Sequence, residues 1–320
     1  MFDRSKPMIG FHTILKNHED VPAMLRVIEE GLAPRGFNTL ILEARYQFTC
    51  FPEYSMGTVN YQDVRQISDA CQRHGVRLVP LFPCLSHQSA EKRTSPYPLL
   101  RLHPEFMETP HMLDADLTWP DFCLHSWCAS NDDIYQYVFP MIDEMAEACR
   151  ADAVHIGMDE YFGNQKAFVD YMKALSDYVA EAAPEKTIRM WGSLSKTGQD
   201  YSGLSRKIQL QVWDTDWTDP QEMYDAGFSV INSLSSSLYL IPGGGYDRLD
   251  LDFLEKKWQP NVFETQERTW ELPRWSSRTL GACYMLWNDY ASQDGNEITE
   301  DGLFERFAEP LDILARKLWK

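Results

Sequence analysis

Residues 154–160 read Val-His-Ile-Gly-Met-Asp-Glu, and this stretch of the sequence bears most directly on the fold. It is predicted to be a strand that ends in two acids. Because side chains alternate along a strand, its three apolar residues would face a layer of helices. His155, Gly157 and Asp159 would then face the interior of a barrel. Glu160 would be the first residue free to fold back over the opening.

Similar strand patterns alternate with amphipathic stretches along the rest of the chain. The predicted strands are Met8–Thr13, Phe37–Glu43, Val76–Phe82, Ala153–Met158, Thr187–Trp191, Ile208–Trp213, Phe228–Asn232 and Leu280–Trp287. The predicted helices are Val21–Ala33, Tyr61–His74, Asp132–Arg150, Gln165–Ala183, Asp219–Ala226, Asp250–Lys257 and Leu303–Trp319. Eight strands that alternate with helices predict an α/β fold, a parallel sheet closed as a (β/α)8 TIM barrel. A doubly wound open sheet is disfavoured because no glycine-rich phosphate loop follows the first strand. Residues 1–320 are expected to form one domain.

One connection is much longer than the others. It runs from Leu85 to Asn131, between the third strand and the next helix of the barrel. Loops of this length are usually functional. We therefore predict that this segment forms a rim or lid over the mouth of the barrel.

Composition and charge exclude several classes of protein. With 30 Lys and Arg against 48 Asp and Glu, the net charge is −18, which disfavours binding to nucleic acid or to anionic membranes. The seven cysteines include no Cys-x-x-Cys pair, so neither a disulfide framework nor a structural zinc site is expected. Residues 1–15 contain no apolar core of a signal peptide. These features favour a cytoplasmic location.

Acids and flat aromatic rings dominate the ends of the predicted strands, where barrels of this kind place their sites. The residues at or just beyond these ends are His12, Glu43, Arg45, His87, Asp159, Glu160, Trp191, Trp213, Asp214, Tyr239, Trp287 and Asp289. Indole rings can stack on the apolar faces of a sugar, and carboxylates can bind its hydroxyls. The pattern indicates a site for a neutral, hydroxyl-rich ligand.

The adjacent acids Asp159 and Glu160 are the strongest candidates for chemistry. Burial and like charge at short range raise the pKa of one carboxyl group, which makes a general acid available near neutral pH. Their other interpretation, a solvated acidic turn, is less consistent with the His-x-Gly pattern that precedes them.

At this point the sequence resembles glycoside hydrolase family 20, the β-N-acetylhexosaminidases, whose signature is His-x-Gly-x-Asp-Glu. The resemblance covers nearly the whole chain and is closest to the small hexosaminidase D-like branch. The motifs that carry it are HIGMDE (155–160), GFH (10–12), LVPLFPCLSH (78–87), MWG (190–192), QVWD (211–214), SSLYL (236–240) and LWND (286–289).

The resemblance implies a retaining mechanism in which the 2-acetamido group of the substrate is the nucleophile. Asp159 would orient that group, Tyr239 would hydrogen-bond its oxygen, and Glu160 would act as general acid and then as general base. The resemblance further implies that Trp191, Trp213 and Trp287 wall the sugar pocket. Asp289 would bind a distal hydroxyl of the sugar.

The sequence departs from the family at three strand ends. Where many members have an arginine after the first strand, this chain has His12, and Arg45 is a candidate substitute. The third strand ends in Ser-His at His87 rather than Gly-His. The last strand carries Trp-Asn-Asp, so that Asp289 replaces a glutamate.

Several interpretations stay open at this stage. His155 can be a buried support or a substrate contact, Asp214 can cap a turn or bind the sugar, and Arg45 can pair with Glu43 or bind the sugar. Two other functions compete with the glycosidase. One is a metal-dependent barrel hydrolase with His12, His87, His155 and Asp159 as ligands, and the other is a glycan-binding barrel without activity.

The expected partner is a glycan or oligosaccharide that ends in N-acetylglucosamine or N-acetylgalactosamine. Nucleic acid, membrane, metal and cofactor are not expected. A homodimer is compatible with the sequence.

Overall fold

A computed structural model describes residues 7–89, 96–115, 121–241, 249–274, 276–288 and 310–317 of the chain. The strands in these ranges are β1 (Met8–Leu15), β2 (Thr39–Ala44), β3 (Arg77–Leu81), β4 (Ala153–His155), β5 (Thr187–Trp191), β6 (Gln209–Val212), β7 (Ser229–Asn232), β8 (Tyr239–Leu240), β9 (Val262–Glu264), β10 (Thr269–Glu271) and β11 (Thr279–Leu286). Strands β1 to β7 follow one another in the sheet, and β11 pairs with both β7 and β1. All of these pairings are parallel, so the sheet closes into the predicted (β/α)8 barrel.

Helices lie in the connections between the strands and after the last strand. They are α1 (Val21–Arg26), α2 (Tyr61–Arg73), α3 (Pro98–Leu102), α4 (Tyr135–Ala148), α5 (Gln165–Ala182), α6 (Pro220–Asp225), α7 (Ser235–Leu238), α8 (Leu251–Lys256) and a last helix over residues 310–317. Helix α1 continues as a π-helical segment to Leu32. Asparagine side chains cap α2 and α5 at their predicted starts; Asn60, for example, accepts hydrogen bonds from the first turn of α2. Among the described helices, none has the length and apolar composition needed to cross a bilayer.

Two apolar layers hold the barrel together. The interior is filled by side chains that include Met8, Ile41, Val79, Leu81, Ala153, Trp191, Ile231, Cys283 and Met285. The second layer lies between the sheet and the helices and includes Val154, Ile156 and Met158. These three are the apolar residues that the alternation rule assigns to the helix side, so that prediction is confirmed.

Strand β4 is shorter than predicted. It ends at His155 rather than at Met158, because the backbone then enters the left-handed region, with φ of 70° at Gly157 and 83° at Met158. Two consecutive residues of this kind turn the backbone out of the extended conformation of a strand. The chain stays bound to its neighbours, since the Cys84 N–H donates to the Ile156 carbonyl (3.0 Å). The wall of the barrel is therefore continuous although the strand has ended.

The wall beside β11 is built from two pieces of chain. Strand β7 pairs with the first part of β11 and leaves the sheet at Asn232. The chain returns after α7 as β8, where Tyr239 pairs with Met285. The Asn232 side chain fixes this departure, because its Oδ1 accepts from the Leu234 N–H (3.2 Å). Its Nδ2 donates to the Val262 carbonyl (3.0 Å). Strand β8 and the β9–β10 hairpin are not among the predicted elements.

The long connection after β3 folds back on itself at the mouth of the barrel. The Trp127 N–H donates to the Leu85 carbonyl (2.8 Å), and the Gln88 N–H donates to the His125 carbonyl (2.9 Å). These bonds join the first and last parts of the connection. They bring residues 85–89 and 123–127 side by side next to the end of β4.

Closure of the barrel depends on a glycine in β11. Gly281 pairs with Met8 of β1 and has φ of 131°, and a Cβ atom there would lie 2.1 Å from the Met8 carbonyl oxygen. We expect Gly281→Ala to lower the free energy of unfolding by about 2–4 kcal/mol, through steric overlap with β1 and backbone strain. Urea unfolding followed by tryptophan fluorescence measures the loss.

Gly198→Ala is the matched control for this substitution. Gly198 also has a positive φ, 61°, but a Cβ atom added there would have no other atom within 4 Å. Only the conformational cost of a left-handed alanine, about 1 kcal/mol, is expected at this position. Equal losses in the two variants would show that the contact with β1 is not what requires glycine at position 281.

Candidate active site

The carboxylates of Asp159 and Glu160 lie together at the carboxyl end of β4. Gly157 makes their turn possible, because a Cβ atom there would lie 3.0 Å from the Pro83 Cα. Glu160 itself has φ of 48°, a conformation that is costly for a residue with a side chain. Backbone strain of this kind concentrates at functional sites. The turn directs both acids toward the mouth of the barrel.

His87 lies between the two carboxylates. Its Nε2 atom is 3.2 Å from Asp159 Oδ2 and 3.2 Å from Glu160 Oε2. Burial of the imidazole lowers the pKa of His87, but the two carboxylates more than offset this, and the pKa lies well above its ordinary value. The two carboxylates thus favour the protonated form of His87, a residue that also has a left-handed φ of 59°.

Cys123, from the long connection, contacts the same carboxylate. Its Sγ–H donates to Glu160 Oε2 over 3.2 Å. In the described part of the chain, His87, Cys123 and Glu160 form the group of potential metal ligands whose donor atoms all lie within 4.8 Å of one another. This group shares only His87 with the four ligands of the metal-dependent alternative. Cys123 was not among the predicted site residues.

Aromatic side chains cluster at the same end of the barrel as the acids, where the sugar pocket is predicted. The rings of Trp191 and Trp287 are 5.7 Å apart, and those of Tyr239 and Trp287 are 5.8 Å apart. Trp213 is oriented by its indole N–H, which donates to the Gly192 carbonyl (3.1 Å). Trp213 and Trp287 are partly exposed, whereas Trp191 is fully buried. Trp191 thus forms the floor of the pocket, and the other two indoles are accessible from the mouth.

His12 lies under this pocket. Its ring is 4.4 Å from that of Trp287 and 5.8 Å from that of Trp191, and it is completely buried. Burial, with a smaller effect from the charge of Arg45, lowers the pKa of His12 to about 3. The imidazole is therefore neutral and supports the indoles from below.

His155 lies beside Trp191, with the two rings 4.7 Å apart. Its Nδ1 atom accepts a hydrogen bond from the Gly157 N–H (3.1 Å), which helps to fix the turn that precedes the acids. Burial, followed by the charges of His12 and Arg189, lowers the pKa of His155 well below its ordinary value. A neutral ring that supports the turn is one of the two interpretations that the sequence leaves open.

Arg45 and Asp214 already have protein partners. Arg45 forms a buried ion pair with Glu43, and its guanidinium lies 5.7 Å from the centre of the Tyr97 ring. Asp214 Oδ1 accepts from the backbone N–H groups of Asp216 (2.7 Å) and Trp217 (3.4 Å), so it closes the turn after β6. Burial raises the pKa of Asp214.

The end of β11 is attached to β1. Asn288 Oδ1 accepts from the Ile14 N–H (3.1 Å), and its Nδ2 donates to the Ile14 carbonyl (2.9 Å). Asp289, predicted to bind a sugar hydroxyl, follows directly but lies outside the described residues.

Sequence reasoning missed several residues at the mouth besides Cys123. Phe162 and Trp217 are in contact there, and Glu108 anchors the segment that follows Glu160. The aromatic pair Tyr161–Phe162, directly after the two acids, is a signal that could have pointed to this side of the site. No comparable pattern surrounds Cys123, because only the folded connection brings it to the acids.

Comparisons with known proteins give the family of the chain and related folds. The family model described as "Glycosyl hydrolase family 20, catalytic domain" matches residues 38–309. No curated protein matches the chain in sequence. Among solved structures, dispersin B has a TM-score of 0.70 at 14% identity, over 98% of this chain and 99% of its own.

Two Streptomyces structures are similar as well. A family 20 β-N-acetylhexosaminidase from Streptomyces coelicolor A3(2) has a TM-score of 0.71 at 18% identity, over 96% of this chain and 63% of its own. A mutant β-hexosaminidase from Streptomyces plicatus, in complex with the product GlcNAc, has a TM-score of 0.71 at 17% identity, over 96% of this chain and 62% of its own. At these identities the likeness concerns the fold.

Proposed function

Since the chain belongs to glycoside hydrolase family 20 and is a glycoside hydrolase, we propose that it is a retaining β-N-acetylhexosaminidase. It would release terminal β-linked N-acetylglucosamine or N-acetylgalactosamine from a glycan or oligosaccharide. The observation that carries this proposal is the pair Asp159 and Glu160, held by His87 at the edge of an aromatic pocket.

The first step of the proposed reaction uses the acetamido group of the substrate. Its carbonyl oxygen bonds to the anomeric carbon as the glycosidic bond breaks, and Glu160 gives its proton to the leaving oxygen. Asp159 accepts a hydrogen bond from the acetamido N–H and offsets the positive charge that develops in the oxazolinium ring. Tyr239 donates a hydrogen bond to the acetamido oxygen.

In the second step, water replaces the internal nucleophile. Glu160, now ionised, takes a proton from the water as the water oxygen bonds to the anomeric carbon. The bond between that carbon and the acetamido oxygen breaks, which restores the acetamido group with the β configuration of the substrate. Contacts from His87 and Cys123 keep the Glu160 side chain in one position through both proton transfers.

The pocket beside the acids would bind the sugar itself. Trp213 and Trp287 present partly exposed rings to its apolar face, with Trp191 as the floor. Arg45, Asp214 and Asp289 are the proposed ligands of its hydroxyls, with Arg45 replacing the first-strand arginine of the family. The GlcNAc complex of the Streptomyces plicatus relative supports this class of ligand.

A comparison of two aryl glycosides tests the proposed function. An aryl β-N-acetylglucosaminide should be hydrolysed, whereas the matching aryl β-glucoside, which lacks the internal nucleophile, should react at the background rate. A thiazoline that mimics the oxazoline ring should inhibit competitively. Similar rates on both glycosides would exclude substrate assistance, and complete loss of activity with a chelator would favour the metal-dependent alternative.

A further inference from the structure

Phe162 is an exposed aromatic side chain two residues beyond Glu160. It is 51% exposed, and among the described residues only Leu102 is a comparably exposed large apolar side chain. Leu102 lies in α3, part of the long connection. Single exposed apolar side chains are common on protein surfaces, so it is the position of Phe162, beside the two acids and next to other aromatic rings, that points to a ligand.

Phe162 continues the row of aromatic rings that begins in the sugar pocket. Its ring is 5.4 Å from that of Trp217 and nearly perpendicular to it, and the Trp217 ring is 5.8 Å from that of Trp213. The Lys196 ammonium lies over both outer rings, 3.9 Å from the centre of Trp217 and 5.9 Å from the centre of Phe162. Trp217 is buried, whereas Phe162 is half exposed and supplies the accessible ring at the outer end of the row.

The backbone that carries Phe162 is held firmly. The preceding Tyr161 donates its hydroxyl to Glu108 Oε2 (2.7 Å), and the Gln165 side chain donates to the carbonyls of Tyr161 and Gly163 (3.0 Å each). A Cβ atom at Gly163 would lie 2.3 Å from the Tyr161 hydroxyl, so the turn is also tightly packed. Little ordering of the backbone is then needed when a ligand binds to Phe162.

We propose that Phe162 forms the binding surface for the sugar unit on the leaving-group side of the cleaved bond. This inference rests on the proposed function, because Glu160 must face the leaving oxygen in order to protonate it. The leaving group therefore departs on the side of Glu160, where Phe162 stands. A neutral pyranose has apolar C–H faces that stack on an aromatic ring, so the preferred substrates are oligosaccharides rather than glycosides of small alcohols.

Binding to a variant that cannot turn over the substrate tests this directly. In a Glu160→Gln background, the dissociation constants of N,N′-diacetylchitobiose and of N-acetylglucosamine are measured by titration calorimetry, with and without Phe162→Ala. Loss of one stacked ring should weaken the binding of the disaccharide by about two- to tenfold and leave the binding of the monosaccharide unchanged. Phe162→Tyr should retain the binding of the disaccharide, and Leu102→Ala is the control for loss of an exposed apolar side chain.

The outcomes separate this inference from the proposed function. If Phe162→Ala weakens the binding of both sugars equally, or weakens the binding of neither, the proposed role of Phe162 is overturned. If Phe162→Ala weakened the binding of an aryl N-acetylglucosaminide but not that of the disaccharide, the assignment to a sugar unit would be overturned. If disaccharide binding depends on Phe162 but the wild-type protein cleaves no N-acetylglucosaminide, the binding surface stands and the proposed activity fails.

Discussion

Glu160→Gln is expected to slow oxazoline formation from a natural disaccharide by about 10²–10⁴-fold, because the leaving sugar oxygen then departs without a proton. An aryl glycoside with an acidic phenol needs little protonation and should keep much more of its rate. Single-turnover release of the leaving group measures this step. Steady-state rates would mix in the later hydrolysis, for which Glu160 is also required.

Glu181→Gln is a matched control for this substitution. Glu181 is an exposed residue of α5 on the outside of the barrel, and its loss removes the same charge without touching the site. The control should react with both substrates at the wild-type rate. If Glu160→Gln slows the disaccharide and the aryl glycoside to the same extent, Glu160 is not the general acid.

The barrel could be predicted from the sequence because its signals are local. Strand β5 has the predicted bounds, and most other barrel strands differ from their predicted ends by one or two residues. Hydrophobic alternation and helix caps depend on nearby residues, so they can be recognised without the rest of the fold. The prediction of β4 was wrong at its end because its apolar pattern runs on through Met158, while the backbone there has turned left-handed.

Strand β8 shows why a pattern alone could not complete the wall. In the part of the chain that the structure describes, β8 consists of Tyr239 and Leu240 and pairs with β11, which is distant in the sequence. One of the two Asn232 contacts at the end of β7 is also long-range, since its Nδ2 donates to the Val262 carbonyl. The resemblance to family 20 identified Tyr239 as a site residue, and the pairing with β11 now explains its position beside Trp287.

The residues of the site also differ in whether the sequence alone could identify them. His87 could be predicted from its place at a strand end, and it lies against the two acids. Cys123 could not, because its contact with Glu160 depends on how the connection after β3 folds. Phe162 was missed for a different reason, because an exposed aromatic residue gives no periodic signal. Its place in the row of aromatic rings is visible only from its distance to Trp217 in the fold.

The strained residues of the structure also gather at this site. His87, Met158 and Glu160 are three of the four non-glycine residues with positive φ in the described ranges, and they lie in the two segments that meet at the acids. Each such residue costs on the order of 1–3 kcal/mol. Packing of Met158 into the outer core and hydrogen bonds from the neighbouring strands offset that cost. The rigid turn that results limits the freedom of both carboxylates before any substrate binds.

Asp159→Asn is expected to slow oxazoline formation by about 10²–10³-fold, a loss comparable with that of one preorganised electrostatic contact to a transition state. The carboxylate is proposed to orient the acetamido group and offset its developing charge, and a neutral amide can do neither as well. Because attack by the acetamido oxygen is needed with any leaving group, the disaccharide and the acidic aryl glycoside should be slowed alike. Single-turnover rates on both substrates measure this.

Asp216→Asn is a control for the lost charge, because Asp216 is exposed in the turn after β6. It should react at the wild-type rate. The rate loss in Glu160→Gln is expected to depend on the leaving group, whereas the loss in Asp159→Asn is not. This difference distinguishes the mechanistic roles of the two acids, whatever the size of each rate loss. If Asp159→Asn showed the leaving-group dependence and Glu160→Gln did not, the two roles would be reversed. If neither variant lost more than a few-fold in rate, the reaction centre would have to lie elsewhere in the barrel.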